Sequence, residues 1–502
     1  MRAAYEADQI RAAEAPLLAA GVPLMRQAAR ALAIHAKRHH RLRAAAGLPS
    51  RILVLVGGGN NGGDGLWAAA ELARAGIPVD VLLATENPHA SGLAAARDAG
   101  LRPHTDAEAA EVTRLADAAG IWLDALAGIG LRGAPRGRLA ALLDLLAARR
   151  DAARRANLRP HVIAVDTPSG LVDDPAATHA LAADETLTFG APTPALLLPP
   201  ARRLAGRVIV ANLGIPLAGE PAVLQVQDAD VAAHWPRAEH LDHKYTRGVL
   251  AVLAGSAEYP GAGLLATSAA LAAGPGMIRY VGEGEVARLV VSSLPEVVTV
   301  PGRVQAALIG PGTTGGHAVA AAIAHYSAMD VPLVLDAGAL TCLGSVPSGE
   351  GPVRRVLTPH AGELADLLGV ARRDVESDPV THAREAARRE HAVVVAKGPE
   401  TVILAPTGPV YTIPNASPWL ATAGSGDCLA GVIAAALAAW KARAEAGRDV
   451  PPLAEQVALA TLVHGRAADA CGSAPGPLRA HDLPDAIART LAALLVGPQE
   501  EA

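Results

Sequence analysis

Apolar runs bounded by glycine, each followed by a longer Ala/Leu-rich stretch, recur along this 502-residue chain and set its predicted elements. Ile52 to Val56 is such a run; glycines follow, an Ala/Leu-rich stretch continues to Ala75, and Val79 opens the next run, Val-Asp-Val-Leu-Leu. That succession predicts strand, loop, helix and strand, a βαβ unit. Further strands are predicted at Ile121 to Asp124, Val162 to Asp166 and Glu185 to Phe189, with helical Ala/Leu/Arg segments between the first of them. Runs that are apolar throughout belong to strands covered on both faces, so a mostly parallel, doubly wound α/β unit is expected. Asp124 and Asp166 then end strands, where such sheets place their ligands.

A second series starts at Gly248 with Val-Leu-Ala-Val-Leu-Ala-Gly, continues with a helix over 261–273, and has strands at Ala307 to Gly310, Val331 to Asp336 and Ala392 to Lys397. It is also α/β with a central sheet. Between the two series, Pro216, Pro221 and Pro236 and the charged patch Arg237 to Lys244 occur without a long periodic element, which reads as a linker. No fixed-period repeat relates the halves, so the predicted organisation is two different domains, 1–218 and 246–502, with a linker at 219–245.

Composition narrows the partners. Hydrophobic residues make up 51% of the chain and aromatics only 2%, so the cores must be built from small aliphatic side chains. A formal charge of -5 offers no basic surface for nucleic acid or an acidic membrane, leaving small anionic ligands held by local sites. Cys342, Cys428 and Cys471 are odd in number and free of metal-type spacing, which suits free thiols in a reducing compartment. Glu6, Asp8 and Glu14 make the first helix-like stretch unlike a signal peptide, and the apolar run from Leu429 to Trp440 falls short of the ~20 residues a membrane span needs. The expectation is a cytoplasmic protein with no membrane partner, and its Ala-rich surfaces suit a homo-oligomer.

In the first half, Gly57-Gly-Gly-Asn-Asn-Gly-Gly-Asp-Gly65 follows a strand and opens a helix, so its backbone amides can face a phosphate without interference from Cβ atoms. The spacing is neither that of a dinucleotide-binding G-x-G-x-x-G nor that of a P-loop, since no Lys-Ser/Thr follows. A tight turn accounts for some of the glycines but not for Asn60, Asn61 and Asp64 together. This loop resembles the signature of the NAD(P)H-hydrate epimerase family, and Asp124-Ala-Leu-Ala-Gly-Ile-Gly-Leu-Arg-Gly133 and Val165-Asp-Thr-Pro-Ser-Gly-Leu171 resemble that family's second and third segments. The resemblance implies that Asn60, Asn61, Gly62, Gly63 and Asp64, with Gly128, Ile129, Gly130, Leu131, Arg132, Gly133 and Ala134, hold a hydrated nicotinamide nucleotide, NADHX or NADPHX. It also implies that Asp166 touches this substrate and that Asn61, Asp124 and Ser169 bind a potassium ion, a hard cation suited to carboxylate, amide and hydroxyl oxygens. Asp166 is the candidate acid/base group for exchanging the R and S forms at C6, with a turn-capping role as the competing reading. The chain departs from the family in one place: a lysine expected shortly after the strand ending at Phe189 is absent, the sequence there being Gly-Ala-Pro-Thr-Pro-Ala.

In the second half, Gly248-Val-Leu-Ala-Val-Leu-Ala-Gly-Ser256, Tyr259-Pro-Gly-Ala262, Gly310-Pro-Gly312, Leu335-Asp-Ala337, Thr358-Pro-His-Ala-Gly-Glu363, Lys397-Gly398 and Gly424-Ser-Gly-Asp427 occur in the order of the ribokinase-like superfamily. The Thr-Pro-His-x-Gly-Glu and Pro-Gly-Ala segments resemble its NAD(P)H-hydrate dehydratase branch rather than sugar kinases. The two resemblances together imply two three-layer αβα domains, an N-terminal Rossmann-like epimerase domain and a C-terminal ribokinase-like dehydratase domain. They imply that Ala262, Gly312, His360 and Asp427 contact the hydrate, and that Lys397, Gly398, Pro399, Glu400, Thr401 and Gly426 hold an adenine nucleotide. Bacterial members generally use ADP, leaving AMP and phosphate, with magnesium neutralising charge. Phosphorylating the C6 hydroxyl turns a poor leaving group into a good one; Asp427 is the expected base, and the Gly424 and Gly426 amides the expected anion cradle. Two other readings stand beside this one: a ribokinase-like vitamin or sugar kinase with an appended domain, and a first half that binds nucleotide without catalysis.

Overall fold

The computed structural model describes residues 1–502 apart from 106, 129, 131–132, 156–158, 172–179, 347–350, 472–475 and 497–502. The chain divides into two compact units, one of residues 3–222 and one of residues 223–502 together with 1–2.

Among the described residues the smaller unit is built on six strands: β1 (Ile52–Val56), β2 (Val79–Leu83), β3 (Ile121–Ala125), β4 (His161–Val165), β5 (Glu185–Phe189) and β6 (Arg207–Ala211). All neighbours pair in parallel, in the spatial order β2-β1-β3-β4-β5-β6. The continuous apolar runs have a direct explanation. Ile52, Val54 and Val56 enter a core with the Leu24–Ala45 and Gly59–Arg74 helices, whereas Leu53 and Leu55 enter a second core with Leu115 and Leu146. With helices on both faces, neither side of a strand can be polar. The order reverses between β1 and β3, and in doubly wound sheets that reversal opens a crevice at the carboxyl ends of the two strands.

Among the described residues the sheet of the larger unit has Arg2–Ala4 as one edge strand and nine strands besides: β7 (Val223–Gln225), β8 (Val249–Leu253), β9 (Met277–Tyr280), β10 (Ala306–Ile309), β11 (Leu333–Leu335), β12 (Arg355–Leu357), β13 (Ala392–Ala396), β14 (Val402–Leu404) and β15 (Val410–Thr412). They follow the order β7-β15-β14-β13-β12-β11-β10-β8-β9. Strands β8 to β13 are parallel, while β14 returns antiparallel to β13 and β15 antiparallel to β14. The order reverses at β8 and β10, giving this unit a crevice too. The Ser425–Glu445 helix is buried on all sides from Cys428 to Ala438 and lies in the main core against the Pro260–Ala272 helix, with alanine at half of its buried positions. Helices can approach this closely only where side chains are small.

The stretch 219–245, read from sequence as a linker, carries β7 and the Asp228–His234 helix of the larger unit. That helix starts with a capping box in which the Gln227 amide donates to Asp230 at 2.7 Å, and the Met1 ammonium donates to the same carboxylate at 2.7 Å. A three-residue strand and a seven-residue helix are too short to show periodicity in the sequence. Among the described residues no single helix is long and apolar enough to cross a membrane.

Candidate active sites

In the smaller unit the glycine-rich segment is helical almost from its start. Gly58 caps the Gly59–Arg74 helix, so Asn60 to Asp64 form its first turns at the carboxyl end of β1, with Asn61, Gly62, Gly63 and Asp64 buried. Helix N–H groups without intrahelical partners therefore open onto the crevice beside β3. Asp124 lies within β3, is fully buried, and accepts hydrogen bonds from the Ser169 amide at 2.8 Å and the Leu126 amide at 3.4 Å. The Ser169 hydroxyl accepts from the Ala127 amide at 2.8 Å and donates to the Ala127 carbonyl. Asn61 packs against Gly128, where a Cβ would come within 3.2 Å of the Asn61 Cβ, and neither atom of the Asn61 amide has a hydrogen-bond partner. An orphaned buried amide of this kind costs about 1–3 kcal/mol unless something is bound there. Burial pushes the Asp124 carboxyl up to about 6, partly countered by its bonds from Ser169. The donor set, carboxylate, hydroxyl and amide oxygen, fits a hard cation, which would favour ionised Asp124 and satisfy Asn61.

Asp166 follows β4 in the left-handed region at φ 66, unusual for a side-chain-bearing residue, and its Oδ1 accepts from Thr188 Oγ1 at 3.0 Å. Thr188, on β5, is the hydrogen-bond donor next to Asp166 in a chain that lacks the lysine expected after Phe189. Asp64 is held well above the carboxylate range, first by burial and then by the charges of Asp166 and Glu14, and its Oδ1 has no partner. Glu14, on the Ala7–Ala19 helix, is raised by burial and then by Asp166. Three carboxyl groups therefore repel one another at this site. Asp64 and Asp166 were expected from sequence, but Glu14 was not, since a glutamate in an alanine-rich helix looks like any solvated charge. Gly128, Gly130, Gly133 and Ala134 follow β3, whereas Ile129, Leu131 and Arg132 lie outside the described residues.

In the larger unit the expected groups come from the carboxyl ends of successive strands. After β8 comes Ala262 and after β10 comes Gly312, and a Cβ on Gly312 would fall 2.4 Å from that of Ala262. Gly312 also has φ 63, so this approach needs glycine twice over. After β12, His360 caps the Ala361–Leu368 helix in a capping box: its Nδ1 accepts from the Glu363 amide at 3.1 Å, and Glu363 Oε2 accepts from the His360 amide at 2.8 Å. An Nδ1 acceptor leaves Nε2 carrying the proton in the neutral ring, 3.6 Å from Glu363 Oε1 on an exposed side chain. His360 is thus a helix cap as well as a candidate ligand contact.

Lys397 ends the β13 segment and opens the turn Gly398, Pro399, Glu400 and Thr401 that leads into β14, where Thr401 Oγ1 donates to the Gly398 carbonyl. Its Nζ donates to Asp336 Oδ1 at 2.8 Å and lies 3.7 Å from Glu363 Oε2. Thr358 Oγ1 donates to the same Asp336 oxygen at 2.7 Å. Burial alone lowers the Lys397 ammonium, but Asp336 and Glu363 outweigh it and raise it above its ordinary value. Gly424, at φ 91, caps the Ser425–Glu445 helix, which puts Gly426 and Asp427 in its first turn. A Cβ on Gly426 would sit 3.6 Å from Lys397 Nζ, so the cation faces the helix N-terminus. Asp427 is pushed up to about 6 by burial and by Asp336, with Lys397 pulling the other way. The arrangement joins a half-buried cation, helix N-terminal amides and a carboxylate that ionises just below neutrality, a combination suited to deprotonating a hydroxyl beside a phosphoryl group.

Two supporting groups escaped sequence reading. Asp336 ends β11 and orients Lys397, and its signal was the Leu-Asp-Ala triplet read only as part of a pattern. His464 is buried in the Leu453–Ala470 helix next to the Ser425 backbone, held at about 4 by burial, with Nε2 unpartnered. A single histidine in a helical alanine-rich stretch carries no sequence signal.

The chain is similar to known proteins along most of its length. Residues 250–489 match the family model described as NAD(P)H-hydrate dehydratase, and residues 21–195 match that described as YjeF-related protein N-terminus. The chain is 41% identical over 466 residues to the bifunctional NAD(P)H-hydrate repair enzyme of Mycobacterium tuberculosis, spanning 89% of this chain and 91% of that protein. It is 32% identical to the enzyme of the same description from Escherichia coli, spanning 83% and 80%. A solved ADP/ATP-dependent NAD(P)H-hydrate dehydratase from Bacillus subtilis, crystallised with ATP and magnesium, is 30% identical, with a TM-score of 0.47 over 53% of this chain and 97% of that one.

Proposed function

The chain belongs to the family of bifunctional NAD(P)H-hydrate repair enzymes, and on that premise we propose how its two sites divide the work. It is an NAD(P)H-hydrate epimerase and dehydratase. The smaller unit interchanges the R and S forms of NADHX or NADPHX, and the larger unit returns the S form to the reduced cofactor.

In dehydration, Asp427 takes the proton of the C6 hydroxyl as that oxygen attacks the terminal phosphoryl group of ADP, releasing AMP. The ring nitrogen then expels phosphate from C6, and loss of a C5 proton restores the dihydropyridine. Asp427 is mostly ionised at neutral pH because it titrates at about 6, so it is ready to act as a base. The amides at Gly424 to Gly426 and the Lys397 ammonium stabilise charge on the transferring phosphoryl group. Magnesium bound with the nucleotide would neutralise phosphate charge. Ala262 and Gly312 floor the hydrate pocket, and His360 Nε2 donates to the hydrate.

In epimerisation, Asp166 is the acid/base group, while Asp64 and Glu14, whose ionisation is opposed by burial and by the Asp166 charge, keep a proton close by. Asn61, Asp124 and Ser169 would hold potassium, which would supply a fixed positive charge there. Asn60, Gly62, Gly63 and residues 128–134 cradle the nucleotide. Three free cysteines suit a cytoplasmic enzyme.

The observation that carries this reading is the pairing of Asp427 with Lys397 at the start of the Ser425–Glu445 helix. Mixed NADHX epimers supplied with ADP should be converted completely, faster than the epimers exchange unaided. Conversion that stalls near the S fraction would remove the epimerase assignment, and no conversion with ADP but turnover with ATP would overturn the choice of donor. Asp166→Asn with undiminished epimerisation would defeat the role given to Asp166.

A further inference from the structure

Four side chains unconnected with either reaction converge at the amino end of the smaller unit's sheet. His35 and His39 lie four residues apart on the Leu24–Ala45 helix, so both rings project from one face. Glu185 is the first residue of β5 and His161 the first of β4. Asp124, Asp166 and the glycine-rich helix start lie toward the carboxyl ends of the strands, so the cluster occupies the opposite end of the sheet.

The imidazoles crowd a single carboxylate oxygen. His35 Nε2 is 2.6 Å from Glu185 Oε2, His39 Nε2 is 2.9 Å from it, and His161 Nε2 is 3.7 Å away. The donor atoms of His35, His39 and Glu185 all lie within 4.8 Å of one another. His161 stacks on His39 with ring centroids 4.2 Å apart, and its Nε2 is buried without a hydrogen-bond partner. Arg207 binds the other oxygen, Oε1, which turns Oε2 toward the rings. Burial would raise the Glu185 carboxyl, but the three imidazoles and the Arg207 guanidinium gathered around it hold it well below the carboxylate range.

We propose that His35, His39 and Glu185, with His161 as a fourth ligand, form a structural site for a divalent transition cation of the zinc class. Tetrahedral ligands about 2.0–2.1 Å from zinc lie about 3.3 Å from one another; the three imidazole distances to Glu185 Oε2 fall on either side of that value, and the shortest, from His35, is a hydrogen bond that an entering ion would replace. Two histidines at i and i+4 with a carboxylate from a distant strand make a ligand set of imidazole and oxygen. It contrasts with the all-oxygen set of Asn61, Asp124 and Ser169, so the two positions select different ions. The ion ties the Leu24–Ala45 helix to the starts of β4 and β5, and Arg207 orients the carboxylate ligand from the second layer.

The full-length enzyme, stripped with a chelator and dialysed, is titrated with zinc against a chromophoric competitor, and the metal content of the dialysed protein is then measured. One tightly held ion per chain is expected, with cobalt in its place giving the intense visible absorption of a tetrahedral site. His39→Gln and Glu185→Gln should each weaken binding at least tenfold, with circular dichroism checking that both variants remain folded. Wild-type protein that retains no ion, or retained binding in both variants, would overturn the proposal. Folded protein that binds no ion and loses stability on titration of the histidines would show an ion-pair cluster instead. Epimerisation should proceed in the zinc-free enzyme at its full rate with potassium present, a readout separate from occupancy of the site.

Discussion

Replacing Asp427 by Asn should make the larger unit more stable while stopping dehydration. The carboxyl is displaced from 3.8 to about 6, chiefly by burial and by Asp336. A displacement of that size corresponds to about 3 kcal/mol against the ionised form in the folded protein. Between those two values the folded chain holds a proton that the unfolded chain has released, so stability falls as pH rises from about 4 to about 6 and stays low above. Asparagine is neutral throughout and escapes that fall. Thermal unfolding followed by tryptophan fluorescence should show Asp427→Asn gaining up to about 3 kcal/mol at about pH 8, roughly 5 °C for a unit of this size. The gain should shrink toward about pH 5. A variant less stable than the parent at about pH 8, or a gain independent of pH, would refute this account of the site's electrostatics.

Four further outcomes are expected. Because the base must be ionised, kcat/KM for dehydration should fall about tenfold per pH unit below about 6, and a profile flat to pH 5 would exclude Asp427 as the base. Lys397→Met should destabilise the larger unit by about 3–5 kcal/mol, because it strands Asp336, which is 2% exposed; adding Asp336→Asn should restore most of the loss in a urea titration. Gly312→Ala, with its Cβ 2.4 Å from Ala262 and φ at 63, should raise KM for the hydrate at least tenfold while leaving adenine-nucleotide affinity within twofold in calorimetry. Asn61→Leu should abolish stimulation of epimerisation by potassium with little loss of thermal stability, since the amide it removes has no partner to lose.

What the sequence disclosed followed from how long and how uniform each signal was. Strands such as Ile52–Val56 and Ala392–Ala396 are buried on both faces, so their composition announces them. Three-residue strands such as Val402–Leu404 carry too few residues to show a period, and the return of the chain from β13 was not legible. At the sites, the glycines and the Asn-Asn pair stood out because backbone geometry confines their type. Asp336, Glu14 and His464 did not, because their roles come from neighbours distant in the chain: Lys397, Asp166 and the Ser425 backbone. The same holds for Glu185, whose three histidines come from one helix and one other strand.

The Ser425–Glu445 helix spans 21 residues, about 30 Å at the usual rise, and its interior is walled by alanine. Asp427 stands at one end of it, and Glu445 at the other accepts from Arg303 at 2.8 Å. A rod fitted this closely has no slack along its length: a single added methylene at Ala434 or Ala436 has nowhere to go except to push the rod, and the base with it. The scarcity of aromatic side chains, so plain in the composition, thus becomes a matter of mechanical tolerance. Small residues let the helix that carries the reacting oxygen lie close against its neighbour, and larger ones there would displace that oxygen along with the helix.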